Sequence, residues 1–224
     1  MKVGILGSGM VGQTIGAKLA ERGVDVVLGT RTPDQLDEKR GMGASLSMWL
    51  SKVGKKGRLG TFADAAAHGE LIINATSGTG SLEALRLAGA KHLDGKILID
   101  VANPLDFSKG MPPLLSVCNT DSLGEQIQRA FPNAKVVKTL NTTNAYVMVD
   151  PGQVAGGDHD IFVSGNDAGA KARVSALLEQ WFGWKSVIDL GDITTSRGTE
   201  MILPIWIRLW SALGTPVFNF KIAR

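Results

Sequence analysis

The stretch that most constrains the fold opens the chain: MKVGILGSGMVGQTIGAKLA, an apolar run that breaks into Gly7, Gly9 and Gly12 and resumes with helical spacing. Lys2 to Leu6 is rich in Val, Ile and Leu, which suits a parallel strand buried on both faces. In the turn that follows, Gly7 permits a tight bend, Gly9 lets a backbone come within contact distance of a ligand, and Gly12 lets the next helix pack close on the strand. Val11, Ile15, Ala17, Leu19 and Ala20 set that helix, whose free N–H groups and positive dipole end point at the turn. A phosphate would sit there without any lysine. In a chain with 28 glycines the GxGxxG pattern alone is weak and fits an ordinary strand-to-helix turn. Its context gives it weight: a strand before, a helix after, and a second strand, Asp25 to Leu28, where a βαβ unit requires one.

The end of that second strand decides which dinucleotide is bound. NAD sites usually place Asp or Glu there, about 20 residues beyond the glycines, to accept hydrogen bonds from the ribose 2′-OH. Here the sequence reads VVLGTRTPDQL, with Gly29, Thr30 and Arg31 in that place. A guanidinium that can grip a phosphate in a fork, beside a hydroxyl, fits the 2′-phosphate of NADP. The bland alternative is a solvated loop cation. Asp34, the nearest carboxylate, follows Pro33 and is expected in the first turn of the next helix.

With 224 residues and 44% hydrophobic content, the chain can bury one sizeable core, or one domain and a smaller appendage. Its 24 basic and 21 acidic residues leave a net charge of +3, and the one dense basic cluster is SKVGKKGR at 51–58. No aromatic stacking pattern accompanies that cluster, so it is expected in a solvated loop and no nucleic-acid partner is implied. Cys118 is the only cysteine, which excludes an internal disulfide and a multi-cysteine metal site and fits a reducing compartment. The first strand starts at residue 2, leaving no room for a signal peptide ahead of it. The most apolar late stretch, MILPIWIRLW, carries Arg208 and falls short of the roughly 20 apolar residues that span a bilayer. A cytoplasmic protein with no membrane partner is expected.

Downstream, GMGASLSMWLSKVG and FADAAAH are expected as helices, ELIINAT as a buried strand, SLEALRLAGA as a helix and KILIDVANP as a strand. DSLGEQIQRAF follows as a helix with Asp121 at its N-cap, and AKVVKTLNT as the next strand. The strands end in small polar residues: Thr76 and Ser77, Ala102 and Asn103, Thr139 and Asn141. In open α/β sheets the ligand lies beyond the carboxyl ends of the strands, so these ends mark the expected cleft. The fold class is α/β, a Rossmann-type doubly wound parallel sheet with a small C-terminal α/β extension. A nucleotide-binding domain is expected over 1–144. In 145–224, HDIFVSG and KSVIDLG are strands flanking the helix DAGAKARVSALLEQWF, and they either extend the same sheet or form a small second unit. This region is expected to complete an acceptor site. Its last helix is rich in Met and Trp, which interfaces favour, and is expected in the core or in the interface of a homodimer.

Taken together, MKVGILGSGMVG, VVLGTR, IINAT, LIDVANPL, VVKTLNT and the late Ser196-Arg197 with Glu200 resemble the NADP oxidoreductases dependent on coenzyme F420. That group contains the cytosolic domains of six-transmembrane metalloreductases, and the resemblance covers nearly the whole chain. It implies NADP(H) bound along Gly7, Ser8, Gly9, Met10, Val11 and Gly12, with Thr30 and Arg31 on the 2′-phosphate. Asn74, Ala75, Thr76 and Ser77 would cross the ribose and nicotinamide side, joined by Asn103. It further implies a deazaflavin (coenzyme F420) or flavin ring stacked on the nicotinamide and held by Asn141, Thr142, Thr143 and Asn144, under a terminal segment around Arg197. Two departures stand out. The archaeal F420 enzymes carry a lysine where this chain has Gln35, and their deazaflavin loop is more apolar than NTTNAY.

Hydride transfer between such rings needs proximity and facial orientation, and the cofactors carry the reactivity, so no protein acid or base is obligatory. The histidines supply none: His68 precedes Gly69 at a helix end, His92 lies in a connecting turn and His159 adjoins Asp158 and Asp160, all three expected at the surface. Asp158, His159 and Asp160 alternate faces at the start of a strand and cannot converge on a metal. The expected function is an NADP(H)-dependent oxidoreductase acting on a small-molecule redox acceptor. The alternatives are a non-catalytic NADP(H) sensor or partner-binding protein, and a flavin-mediated ferric reductase. A hydroxy-acid or imine dehydrogenase is disfavoured, because residues 145–224 are too few for the large helical domain it would need.

Overall fold

The computed structural model describes residues 1–39 and 42–224. Strand β1 (Lys2–Leu6) enters helix α1 (Met10–Glu21) through the glycine turn, and β2 (Asp25–Gly29) returns parallel to β1. Then come α2 (Leu46–Val53), β3 (Gly57–Gly60), α3 (Phe62–His68), β4 (Leu71–Asn74), α4 (Gly78–Ala88), the short α5 (Ala90–Leu93) and β5 (Ile97–Asp100). A small antiparallel hairpin, β6 (Leu105–Asp106) and β7 (Leu114–Leu115), precedes α6 (Leu123–Ala130) and β8 (Lys135–Thr139). The rest holds α7 (Ala145–Val149), β9 (Ile161–Ser164), α8 (Ala168–Phe182), β10 (Val187–Gly191), α9 (Ser196–Met201) and α10 (Leu203–Leu213), ahead of an irregular tail.

Eight strands join one sheet in the order β10-β9-β8-β5-β4-β1-β2-β3, the doubly wound α/β class expected. The sheet is parallel from β3 to β8; β9 pairs antiparallel with β8, and β10 parallel with β9. Residues 145–224 therefore extend the same sheet. After β3 the chain crosses to β4 on the far side of β1, and at such a reversal a crevice opens beyond the carboxyl ends of the strands.

Helices α1, α2, α7 and α8 cover one face, burying Ile5, Ile15, Trp49, Val147 and Val174 together. Helices α3, α4 and α6 cover the other over Leu6, Ile72, Leu85 and Ile127. A third cluster, Leu203, Trp206 and Ile207, packs α10 against the tail, with Phe218 stacked on Trp206 at 5.2 Å. Among the described residues no helix is long and apolar enough to cross a membrane.

Several local expectations are corrected. The basic stretch 51–58 is largely exposed, as expected, but only Gly54–Lys56 is a connecting turn: the stretch also ends α2 and opens β3, where Arg58 reaches Asp25 of β2 at 3.0 Å. Four residues paired through backbone to an existing edge need no β-branched side chains, so GRLG carried little strand signal. Asp34 lies in a turn with Pro33, followed by Gln35 N–H donating to the Thr32 carbonyl at 3.3 Å, and not in a helix. Ser122, not Asp121, caps α6 by accepting from Glu125 N–H; Asp121 pairs with Arg129 at 2.8 Å. His92 belongs to α5, His68 is half-buried, and His159 is buried edge-on against Trp184.

Candidate active site

Gly9 is the N-cap of α1, which has no side-chain cap and no acidic residue in its first turn. Its leading N–H groups and dipole end are uncapped by side chains, an arrangement that suits an anion such as a phosphate. The three glycines divide the work. Gly7 has φ +114°, and a Cβ there would lie 2.4 Å from the Ala75 carbonyl oxygen; on Gly12 it would lie 1.9 Å from that of Gly7. Both are demanded by the fold. A Cβ on Gly9 would meet nothing within 4 Å, so the fold does not demand glycine there and the space beside it is open. Gln13 fastens the turn, its Nε2 donating to the carbonyls of Ser8 at 2.9 Å and Ala44 at 2.8 Å and its Oε1 accepting from Ala44 N–H at 3.1 Å.

Beyond β1, β2 and β4 lies a cavity of about 730 Å³ lined by Gly7, Ser8, Gly9, Thr30 and Arg31, with Gln35 and Glu83 also on its wall. Thr30 is buried and its N–H donates to the Gly60 carbonyl at 2.9 Å. Arg31 is exposed and makes no ion pair among the described residues. A fixed hydroxyl, an uncommitted guanidinium and the lack of a carboxylate at the end of β2 fit a 2′-phosphate.

A second cavity, about 620 Å³ and mainly apolar, shares Ala75, Thr76 and Ser77 with the first. Met10 and Val11 of α1, Phe107 of the hairpin loop, Tyr146 of α7, and Trp206 and Trp210 of α10 wall it, and Asn103, Asn141, Thr143 and Asn144 form a polar edge. That edge is held from several directions. Asn141 Nδ2 donates to Asn103 Oδ1 at 2.9 Å and the Thr199 carbonyl at 3.0 Å, and Asn103 Nδ2 donates to the Asn141 carbonyl at 2.8 Å. Asn144 caps α7 through Oδ1 and donates through Nδ2 to the Pro216 carbonyl, and Thr143 Oγ1 donates to the Phe218 carbonyl at 3.5 Å.

The C-terminal tail is thus strapped over the polar loop, and Asp158-His159-Asp160 anchors its far end. Asn219 Nδ2 bonds His159 Nδ1 at 2.8 Å and the Asp160 carbonyl at 2.9 Å; Ile222 N–H donates to Asp160 Oδ2 at 2.6 Å, and Lys221 pairs with Asp158 at 2.6 Å. Burial pushes the Asp160 carboxyl up, but the Ile222 N–H, the Ser186 hydroxyl and Lys221 outweigh it and hold it below the usual carboxylate range. No potential metal-ligating group of three is found among the described residues.

Behind both cavities runs a buried charged network. Lys138 Nζ lies 2.8 Å from Asp100 Oδ2 and 2.7 Å from Glu200 Oε1, all three side chains at most 1% exposed, and it donates to the Ala102 carbonyl at 2.6 Å. Burial lowers a lysine pKa, yet the two carboxylates reverse that and raise it, so Lys138 is charged. Asp100 Oδ1 accepts from Asn74 Nδ2 at 2.8 Å and Ala102 N–H at 3.2 Å, and Asn74 Oδ1 accepts from Thr76 Oγ1 at 2.7 Å. Glu200 accepts the N–H groups of Leu123 and Gly124 at 2.8 and 3.0 Å. The network fixes the Ala75–Ser77 turn and the Ala102–Asn103 turn together. Its signal in the sequence was a charge inside a buried strand run, Lys138 in VVKTL and Asp100 in LIDVAN.

Of the expected site residues, Gly7, Ser8, Gly9, Thr30 and Arg31 line the first cavity, Met10, Val11, Asn103, Asn141 and Thr143 the second, and Ala75, Thr76 and Ser77 both. Gly12 is a packing glycine, and Asn74 is fully buried and orients Thr76. Thr142 is 1% exposed and lines neither cavity. Arg197 also stands outside them: its Nε and Nη2 grip Glu125 at 2.8 and 2.5 Å, holding that carboxyl below its usual range. Ser196 Oγ meets Ser122 Oγ at 2.8 Å. The Ser196, Arg197 and Glu200 motif is therefore a lock between α9, α6 and β8. The apolar wall from Phe107, Tyr146, Trp206 and Trp210 was missed, since nothing in sequence spacing brings these residues together.

Residues 2–104 match the family described as NADP oxidoreductase coenzyme F420-dependent. The chain is 60% identical to a protein from Arthrobacter sp. FB24 whose crystal structure is described as that of a candidate F420-dependent NADP reductase, with TM-score 0.95 over 100% of both chains. It is 29% identical over 209 residues to metalloreductase STEAP3 of Rattus norvegicus, covering 92% of this chain and 38% of that protein, so it spans well under half of this relative. An imine reductase from Myxococcus stipitatus solved with NADP+ shares the fold at 14% identity, TM-score 0.64, over 96% of this chain and 63% of that one.

Proposed function

This chain belongs to the NADP oxidoreductases dependent on coenzyme F420, and from that membership we propose that it passes a hydride between NADP(H) and a deazaflavin or flavin-type ring. The observation that carries the proposal is the meeting of two unlike chambers at Ala75, Thr76 and Ser77, one suited to anions and the other apolar. The N–H groups opening α1 hold the pyrophosphate, and Thr30 with Arg31 holds the 2′-phosphate. Ala75 to Ser77 and Asn103 orient the nicotinamide end. Bound there, NADP(H) supplies the hydride. Asn141, Thr143 and Asn144 present donors and acceptors to the second ring, and Met10, Tyr146, Trp206 and Trp210 give it apolar walls and exclude water. A cavity of about 620 Å³ has the volume of ordinary small-molecule sites.

A sensor would not need this open second chamber, which favours catalysis. Similarity to metalloreductase STEAP3 favours ferric reduction through a flavin as the second possibility. Anaerobic NADPH oxidation with coenzyme F420, flavin mononucleotide or a ferric chelate tests the proposal. F420 or flavin mononucleotide is expected to be reduced directly, with NADPH preferred over NADH. Reduction of ferric chelate only when flavin is added would support the second possibility, and no oxidation with any acceptor would overturn both.

A further inference from the structure

Next to the apolar chamber is a smaller cavity of about 320 Å³ lined by Met111, Pro112, Ile207, Arg208, Trp210 and Ser211. Met111, Ile207 and Trp210 line both, so the two spaces adjoin along the same three residues. Arg208 and Ser211 are the polar side chains of the smaller one, and at i and i+3 on α10 they lie on one side of the helix. Arg129 and Arg197 are committed to Asp121 and Glu125. Arg208 is exposed and has no ion-pair or hydrogen-bond partner among the described residues. Asp106, the carboxylate that lines the larger chamber, is engaged by the Ser108 N–H at 2.8 Å.

An unpaired surface arginine alone is ordinary. Here it lines the smaller cavity, which adjoins the apolar ring chamber, apart from the Arg31 end of the cleft. We propose, resting on the ring-transfer function above, that Arg208 and Ser211 form a subsite for an anionic tail, phosphate or carboxylate, on the acceptor whose ring fills the larger chamber. The substrate class narrows accordingly to rings bearing a phosphoester or acid side chain, ahead of bare rings and neutral chelates. Guanidinium binds such groups by charge-assisted hydrogen bonds, and partial exposure limits the gain to about tenfold in affinity.

The test compares kcat/KM for flavin mononucleotide against riboflavin, and for coenzyme F420 against its tail-less deazaflavin ring, at saturating NADPH. The wild type should favour the tailed acceptors by about tenfold at low salt, with the preference shrinking as ionic strength rises. Arg208→Gln should remove most of that preference through KM of the tailed acceptor, with a much smaller loss on the bare ring, and Arg208→Lys should keep part of it. Equal losses on tailed and bare rings, or a wild type without preference, would overturn the subsite while leaving ring transfer standing. If neither kind of ring oxidises NADPH, the transfer function itself falls, and the subsite with it.

Discussion

The two chambers of this cleft sit side by side and are built by different means. The nucleotide chamber is a local construction: residues 7–12, the end of β2 and the turn after β4 supply it, largely through backbone. The apolar chamber, the proposed acceptor site, is assembled from α1, the β6–β7 hairpin, the loop after β8, α7, α10 and the tail. Side-chain hydrogen bonds and the Asp100, Lys138 and Glu200 network hold those parts in register. A backbone site tolerates most side-chain changes but few changes of glycine. A converging site depends on residues that touch no ligand.

The sharpest way to break this comparison is Lys138→Met. Removing the cation strands two buried carboxylates, and breaking such a pair costs about 3–5 kcal/mol. Denaturant unfolding should register that loss, and a change below about 1 kcal/mol would show that the acceptor side does not hang on the network.

The glycines come next. Gly9→Val should keep a near-wild-type unfolding midpoint while NADPH affinity falls more than about 100-fold, or roughly 2.7 kcal/mol. Gly12→Ala should instead lose about 1–3 kcal/mol of stability through overpacking against the Gly7 carbonyl. Calorimetric titration and thermal unfolding of both variants separate ligand space from packing, and identical behaviour would erase the distinction.

Arg31→Ala should weaken NADPH by roughly 10- to 100-fold and NADH little, because only the former loses a charge-assisted contact worth about 1.5–3 kcal/mol. Equal losses in fluorescence titrations would remove the 2′-phosphate assignment.

The smallest effect belongs to the strap. Asp160 is held below its unfolded value of about 3.9, so its contribution is complete above that pH and is lost as pH falls through the lower folded value. Asp160→Asn should cost about 1 kcal/mol at neutral pH and flatten that acid limb. Amide exchange over 216–222 should quicken; unchanged exchange would mean the tail is held elsewhere.

Much of the fold was legible. Apolar runs located β1, β2, β4, β5, β8 and β9, because a strand buried on both faces is largely apolar along its length; β10, a half-exposed edge strand, was legible from the apolar residues of KSVIDLG. The exceptions are short or exposed: β3 and the β6–β7 hairpin have no such requirement. Asp121 and Ser122 are both good N-cap residues, and only the Asp121–Arg129 pair decides between them.

The sequence by itself determined the doubly wound class, the phosphate turn and the residues at the end of β2. The turn and the end of β2 depend on neighbours within one strand-turn-helix unit, where steric and dipole effects act over a few residues, and the class follows from the repeated alternation of buried strands with helices along the chain. The tertiary structure alone decided that Arg197 locks α9 to α6 while Arg208 has no partner among the described residues. It decided too that Lys138 is a buried cation between strands and that Asp158-His159-Asp160 anchors the tail. Those assignments follow from which distant group comes within hydrogen-bond range, and a bond across 60 or more residues leaves no spacing in the chain to read.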